Sequence, residues 1–209
     1  MADYRGEKKR GKLGDLIYSS WNGRPYVRRR PAVVANPQTE AQQNHHHAFA
    51  EISRLSSAMK VAHAEGLHWQ AVRQKLNTHS VFKSLNKDCY GSDGIDYPHI
   101  RISHGSVTGV SIESAEVNVQ GIIEVRFTAS PLSDGRNDLF FLYVFCHDLR
   151  DGRFAQPVTR SIGEVRASVP SEWQGHLLHL YAFMKDAKGH TSETIYVGVL
   201  QPETDDSQE

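Results

Sequence analysis

Long apolar runs are missing from this sequence: no stretch approaches the roughly 18–20 residues that a membrane-spanning helix requires. Cysteine is scarce as well. The two present, Cys89 and Cys146, are too few for a disulfide framework and read as reduced, largely buried thiols. Net charge is absent, with 24 basic against 24 acidic residues. The segment Met1 to Lys12 is polar and basic, so it lacks the apolar core of a secretory signal. With neither a signal peptide nor a transmembrane segment, the expected location is the cytoplasm or an assembled particle, away from membranes.

Catalytic signatures are missing too. There is no His-Glu-x-x-His, no Cys-x-x-Cys, no Gly-x-Ser-x-Gly and no Walker-type loop, and Gly91-Ser92-Asp93-Gly94 opens no helix. Twelve histidines raise the question of metal. However, His45-His46-His47 falls in a helical segment where neighbours point about 100° apart, and three such rings cannot converge on one ion. His176 and His179 would straddle opposite faces of a strand. His63 and His68 would flank a helix turn as solvated rings. Cys146 and His147 are adjacent strand residues facing opposite ways, which prevents a thiolate–imidazole pair. Asp134, Asp138, Asp148 and Asp151 lie at strand ends without a calcium-loop spacing. No residue is assigned a catalytic, cofactor-binding or metal role, and the expectation is a non-enzyme without cofactors.

What is present begins with charge asymmetry. Residues 1–40 carry nine basic against four acidic side chains, while residues 201–209 carry four acidic and none basic. A basic head and an acidic tail can steer contacts between subunits. Within the head, Gly11 to Pro31 reads as two short extended segments around Asn22-Gly23, a pair that supplies the positive φ of a tight hairpin. Its apolar residues Leu16, Tyr18, Trp21, Tyr26 and Val27 are too few to form a core alone. Such an arm must lie on something.

The rest divides by period. Asn36-Pro37 suits a helix start, with Thr39 and Glu40 in the first turn. Ala41, Ala48, Phe49, Ile52, Leu55, Met59 and Ala62 then mark one helical face. Gly66 reads as a stop. A second helical region from Trp69 to Lys87 places Val72, Leu76, Phe82 and Leu85 on its stripe, with Thr78 or Ser80 able to cap a new turn. The Gly/Asp-rich stretch 88–97 is the best domain boundary. Beyond it the period becomes two: Ile100–Ser103, Ile122–Phe127 after a Gly121 turn, Leu139–Phe145, Arg153–Thr159, Glu164–Val169, His176–Met184 and Thr194–Val199. The apolar run Leu139–Phe145 suggests a strand buried on both faces. About seven strands, with turns at Ser133-Asp134-Gly135, Asp151-Gly152 and Lys188-Gly189, predict an antiparallel sandwich.

The expected fold is therefore α+β. An extended basic arm (1–35) and a helical hairpin (36–90) precede an immunoglobulin- or fibronectin-like β-sandwich (98–200) and an acidic tail (201–209). Tyr181 would fill the sandwich core and bond nearby backbone through its hydroxyl, after a turn built on Trp173-x-Gly175.

Gly11-x-x-Gly14, Trp21-Asn22-Gly23, Val27-Arg28, Asn36-Pro37-x-Thr39-x-x-Gln42 and Phe49 resemble the opening of an uncharacterised family of roughly 200-residue proteins from Bacteroidota. The far end is similar as well, in Arg160, Val169-Pro170-x-x-Trp173-x-Gly175, His179-x-Tyr181-x-Phe183, Ser192 and Tyr196-Val197-Gly198. His46 stands where that family often has arginine. The Asn-Pro-x-Thr-x-x-Gln segment also resembles short phage and prophage proteins. The resemblance implies architecture and no activity.

The functional expectation is a structural or adaptor protein that self-associates as a homo-oligomer or docks on another protein of an assembly. The arm residues Leu16, Tyr18, Trp21, Tyr26, Val27, Arg28, Arg29 and Arg30 would make the contact, together with the helices. The alternative is a nucleic-acid-associated protein using Arg28-Arg29-Arg30 with Trp21 and Tyr26.

Overall fold

The computed structural model describes residues 10–21, 23–32, 38–91, 93–118, 121–129 and 137–202. The protein is mixed α+β, with four α-helices among the described residues and sheets that are antiparallel throughout. The chain divides into two compact units, Met1–Gln43 and Asn44–Glu209.

The first unit holds a three-stranded ribbon of β1 (Gly11–Leu13), β2 (Leu16–Trp21) and β3 (Arg24–Arg29), in that spatial order. Asn22 lies outside the described residues, but the Trp21↔Arg24 register is that of a two-residue hairpin. Gly23 (φ +78°) and Gly14 (φ +58°) take the left-handed backbone that these tight loops need. Strand β1 was not foreseen, because three residues carry no readable alternation.

Helix α1 (Glu40–Ala58) begins with Thr39 Oγ1 accepting from the Gln42 amide at 3.3 Å. The expected cap Asn36 and Pro37 lie outside the described residues. Three further helices follow in the second unit: α2 (Lys60–Gly66), α3 (His68–Gln74) and α4 (Thr78–Leu85). The cap of α4 is Asn77, whose side chain accepts from Ser80 N at 2.8 Å, in place of the expected Thr78 or Ser80. Between α1 and α3 the amides of Met59, His63, Leu67 and Ala71 bond four residues back, so the three segments run on through two bends. Gly66 does not stop the helix through a left-handed backbone. A Cβ there would collide with the Ile102 carbonyl oxygen, so glycine permits the backbones to touch.

The stretch expected to separate domains lies inside this second unit. It forms a small hairpin of β4 (Tyr90–Gly91) and β5 (Gly94–Ile95), then a 3-10 turn at Tyr97–His99. The expected strand Ile100–Ser103 is absent. Asn86 instead accepts from Arg101 N at 2.7 Å and donates to its carbonyl at 2.9 Å, while Thr194 Oγ1 accepts from Ile102 N and Ser103 N. Both isoleucines are buried without a ladder.

Two sheets follow. One is ordered β11 (Glu164–Ser168), β7 (Ile122–Ala129), β6 (Val110–Val117). The other is ordered β10 (Val158–Thr159), β8 (Leu139–Cys146), β12 (Leu178–Lys185), β13 (Ile195–Leu200), with β9 (Asp151–Phe154) continuing the β10 edge along β8. Residues 151 and 152 open β9; the turn before it is formed by His147–Arg150.

Pleating gives β8 and β12 two buried faces. Phe140, Leu142, Val144 and Cys146 join Leu178, Leu180, Ala182 and Met184 against Ile123, Val125, Phe127, Val165 and Ala167 of the other sheet. Phe141, Tyr143, Phe145, Tyr181 and Phe183 point the opposite way, against Ile52, Leu55, Met59, Ala62, Leu67, Val81 and Phe82 of the helical layer. The unit therefore has three layers: helices, sheet, sheet. Only part of the expected helical stripe is used. Phe49, Val72 and Leu76 are exposed, and Ala71 and Val81 are buried instead.

Candidate interaction surface

The ribbon collects every residue assigned to the arm apart from Arg30, which directly follows β3. Cross-strand register sorts them by face. Leu13↔Leu16↔Arg29 and Gly11↔Tyr18↔Val27 stand opposite one another, and Ser20 faces Pro25. One face therefore carries Leu13, Leu16, Tyr18, Pro25 and Val27, an aliphatic patch with Arg29 at its end. On the other face Lys12↔Ile17↔Arg28, Ser19↔Tyr26 and Trp21↔Arg24 are neighbours. That side is aromatic and cationic.

Every residue of β1 and β3 is exposed. Trp21 is 71% exposed, Val27 52% and Leu13 50%. Arg28, Arg29 and Arg30 line an open concavity of about 890 Å³ with Asp15, Pro31 and Ala32. The Arg30 amide donates to the Asp15 carbonyl at 2.7 Å, which closes the base of the ribbon. Lys12, Arg24 and Leu13 were missed as surface residues. The two-residue loop at Asn22-Gly23 would have placed Arg24 beside Trp21 by register alone.

Tyr181 and Trp173 are buried, on opposite sides of the central sheet. The Tyr181 ring lies in the helical core, and its hydroxyl donates to the Tyr97 carbonyl at 2.9 Å, 84 residues away. It therefore ties β12 to the 3-10 turn; the expected bond to nearby backbone is not what forms. Trp173 ends a short 3-10 helix, Ser171–Trp173, and packs between the two sheets with Arg153 over its ring at 5.4 Å. Arg160 is buried, with Nη1 donating to Gly109 O at 3.3 Å, Nη2 donating to Thr108 O, and the Asp138 carboxylate at 3.5 Å.

The histidines are mostly structural. His47 shares a hydrogen bond with the Tyr90 hydroxyl at 2.9 Å. His63, expected in solvent, is fully buried. Its Nε2 donates to the Ser56 carbonyl at 2.9 Å, and its ring meets that of His79 edge-on at 4.6 Å. Burial pushes its pKa down to about 4, against that hydrogen bond and with His79 and Lys60 adding to the fall. His179 is stacked on Tyr97 at 4.3 Å and bonded to the Tyr196 hydroxyl at 2.9 Å. Burial, then the nearby His147, lowers it to about 4. His176 precedes β12 and pairs with Asp148 at 2.8 Å. Asp134 lies outside the described residues. Both cysteines are free, Cys146 in the core and Cys89 half-buried. Among the described residues, no three His, Cys, Asp or Glu side chains are placed to hold a metal ion, and no helix is long and apolar enough to cross a membrane.

Fold and surface together define a mixed α+β protein whose first unit carries an exposed, two-sided ribbon. The chain belongs to a family of unknown function, DUF6266, whose sequence model matches residues 8–198. A search of curated proteins finds no match.

Proposed function

We propose that this protein is a non-enzymatic structural or adaptor protein that self-associates through the aliphatic face of its N-terminal ribbon. The observation that carries this reading is the exposure of Leu13, Leu16 and Val27 on one face of a sheet with no buried residue in β1 or β3. A bare sheet of this size is marginal in water and gains stability when an apolar face is covered. Covering several hundred Å² at roughly 25 cal/mol per Å² supplies on the order of several kcal/mol before the cost of association. The helical layer contributes secondary contacts through exposed Phe49, Val61 and Val72.

The two sheets of the body form an immunoglobulin- or fibronectin-like sandwich in this reading. Its support is the packing of a three-stranded and a five-stranded antiparallel sheet around a shared core. Such scaffolds serve binding more often than chemistry. The cytoplasm or an assembled particle is the proposed location. The similarity of Asn36-Pro37-x-Thr39-x-x-Gln42 to phage and prophage proteins favours a particle of that kind.

Deleting residues 1–35 tests the reading. Light scattering should show an oligomer reduced to a monomer, and thermal melting should show the body unfolding at its original temperature. If the deletion leaves the mass unchanged and lowers the melting temperature instead, the ribbon serves its own chain and the proposal fails.

A further inference from the structure

The face of the ribbon opposite the aliphatic patch has a different chemistry. Strand β3 presents Arg24, Tyr26 and Arg28 at every second residue, about 6.8 Å apart. Across from them stand Trp21, Ser19 and Ile17 of β2, and Lys12 of β1 lies beyond Ile17. The result is a small grid in which Trp21 adjoins Arg24 and Tyr26 lies between two guanidinium groups. Trp21 and Tyr26 are 71% and 45% exposed.

Among the described residues, the cations of this grid lack counter-charges. Lys12, Arg24 and Arg28 form no ion pair among the described residues. Asp15 is the sole acidic side chain within residues 10–32. It sits in the β1–β2 loop, at the end of the ribbon away from Trp21 and Arg24. At that end Arg28 borders the concavity that it lines with Asp15, Arg29 and Arg30. A row of cations without counter-charges among the described residues calls for a polyanion. Exposed rings interleaved with it call for a polyanion that carries flat π-systems at a similar repeat.

We propose that this face binds single-stranded nucleic acid without sequence preference. Lys12, Arg24 and Arg28 take phosphates along the backbone, while Trp21 and Tyr26 provide stacking surfaces for bases. Duplex DNA fits less well, because its bases are stacked on one another and cannot meet the rings. Neither the phosphates nor the base faces distinguish ribose from deoxyribose, so DNA and RNA strands bind alike. The aliphatic face is not used, so this inference does not rest on the self-association proposal.

The test is fluorescence anisotropy of the full chain with labelled oligo(dT), oligo(rU) and a mixed-sequence duplex, each about 20 nucleotides long. Both single strands are expected to bind within a few-fold of each other and more tightly than the duplex. The log of the binding constant should fall with log salt at a slope of about −2, as three phosphate contacts on a single strand require. Trp21→Ala with Tyr26→Ala should weaken binding about tenfold or more while leaving that slope in place. Arg24→Ala with Arg28→Ala should weaken binding and flatten the slope. Arg73→Ala with Lys188→Ala, exposed cations outside the ribbon, should bind as the wild type does; a loss comparable to that of the aromatic pair would overturn the inference. Amide hydrogen exchange across β2 and β3 that matches the wild type verifies that the ribbon of each variant is folded. Three results refute the proposal: no anisotropy change at low salt, duplex bound as tightly as single strand, or no loss on removing both rings. The last would mean attraction by charge alone.

Discussion

Stability of the body should fall on mild acidification because two buried rings resist protonation. His63 and His179 each titrate at about 4 in the folded chain against an ordinary 6.5. In the unfolded chain both rings take up a proton as pH falls through 6.5, and in the folded chain they stay neutral down to about 4. The unfolded state therefore binds more protons across that window. The stability that the neutral rings confer is complete above about pH 6.5 and is lost as pH falls towards and through 4. At pH 5 the loss is on the order of 2 kcal/mol per ring at most. Partial solvation trims this to about 2–4 kcal/mol for the pair. For a chain of this size each kcal/mol moves the melting temperature by about 2–4 °C. Scanning calorimetry at pH 7.5 and pH 5 should thus show a drop of about 5–15 °C. In a His63→Gln/His179→Gln variant most of that drop should vanish, even if the variant starts lower. A wild-type melting temperature equal at both pH values, or a double variant with the full drop, would refute the reasoning.

Two substitutions probe the joints between layers. Gly66→Ala places a methyl group against the Ile102 carbonyl and Ser103 Cβ, and should cost about 1–3 kcal/mol through overpacking. A urea midpoint equal to that of the wild type would show that the two backbones separate freely. Tyr181→Phe removes the hydroxyl that donates to Tyr97 O and leaves a carbonyl without its partner, at a cost of about 1–2 kcal/mol in the same measurement. An effect near zero would mean that water replaces the lost donor.

Much of the body was legible because its signals are local. The run Leu139–Phe145 is apolar at every position, and β8 is buried on both faces as that pattern implies. Strand β6 was not legible, and a bulge explains why. Its pairing with β7 shifts between Ile112 and Ser114, so its inward residues fall at Val110 and Ile112, then Ala115 and Val117. The two-residue period breaks in the middle. Helical periodicity identified the face of α1 from Ile52 onward but misplaced Phe49, Val72 and Leu76. A repeat in the sequence cannot show where the helical path bends, at Met59 and Leu67, or where the sheet beneath it ends. His63 gave no sign of burial, because a single imidazole beside Ala62 is equally suited to solvent. At the ribbon the assigned residues were legible from the Asn22-Gly23 signal. Their division into an aliphatic and a cationic face needed the register, which depends on loop length and on the unforeseen β1.

The central claim, that the aliphatic ribbon face joins copies of this chain, is tested most directly by the solution mass of the full chain over a range of concentrations. Sedimentation equilibrium should give a mass above the 23.5 kDa of one chain, increasing with concentration. Leu16→Ser with Val27→Ser should return it to 23.5 kDa with the melting temperature of the body unchanged. A wild-type mass of 23.5 kDa at every concentration, or an oligomer that survives the double substitution, would contradict it.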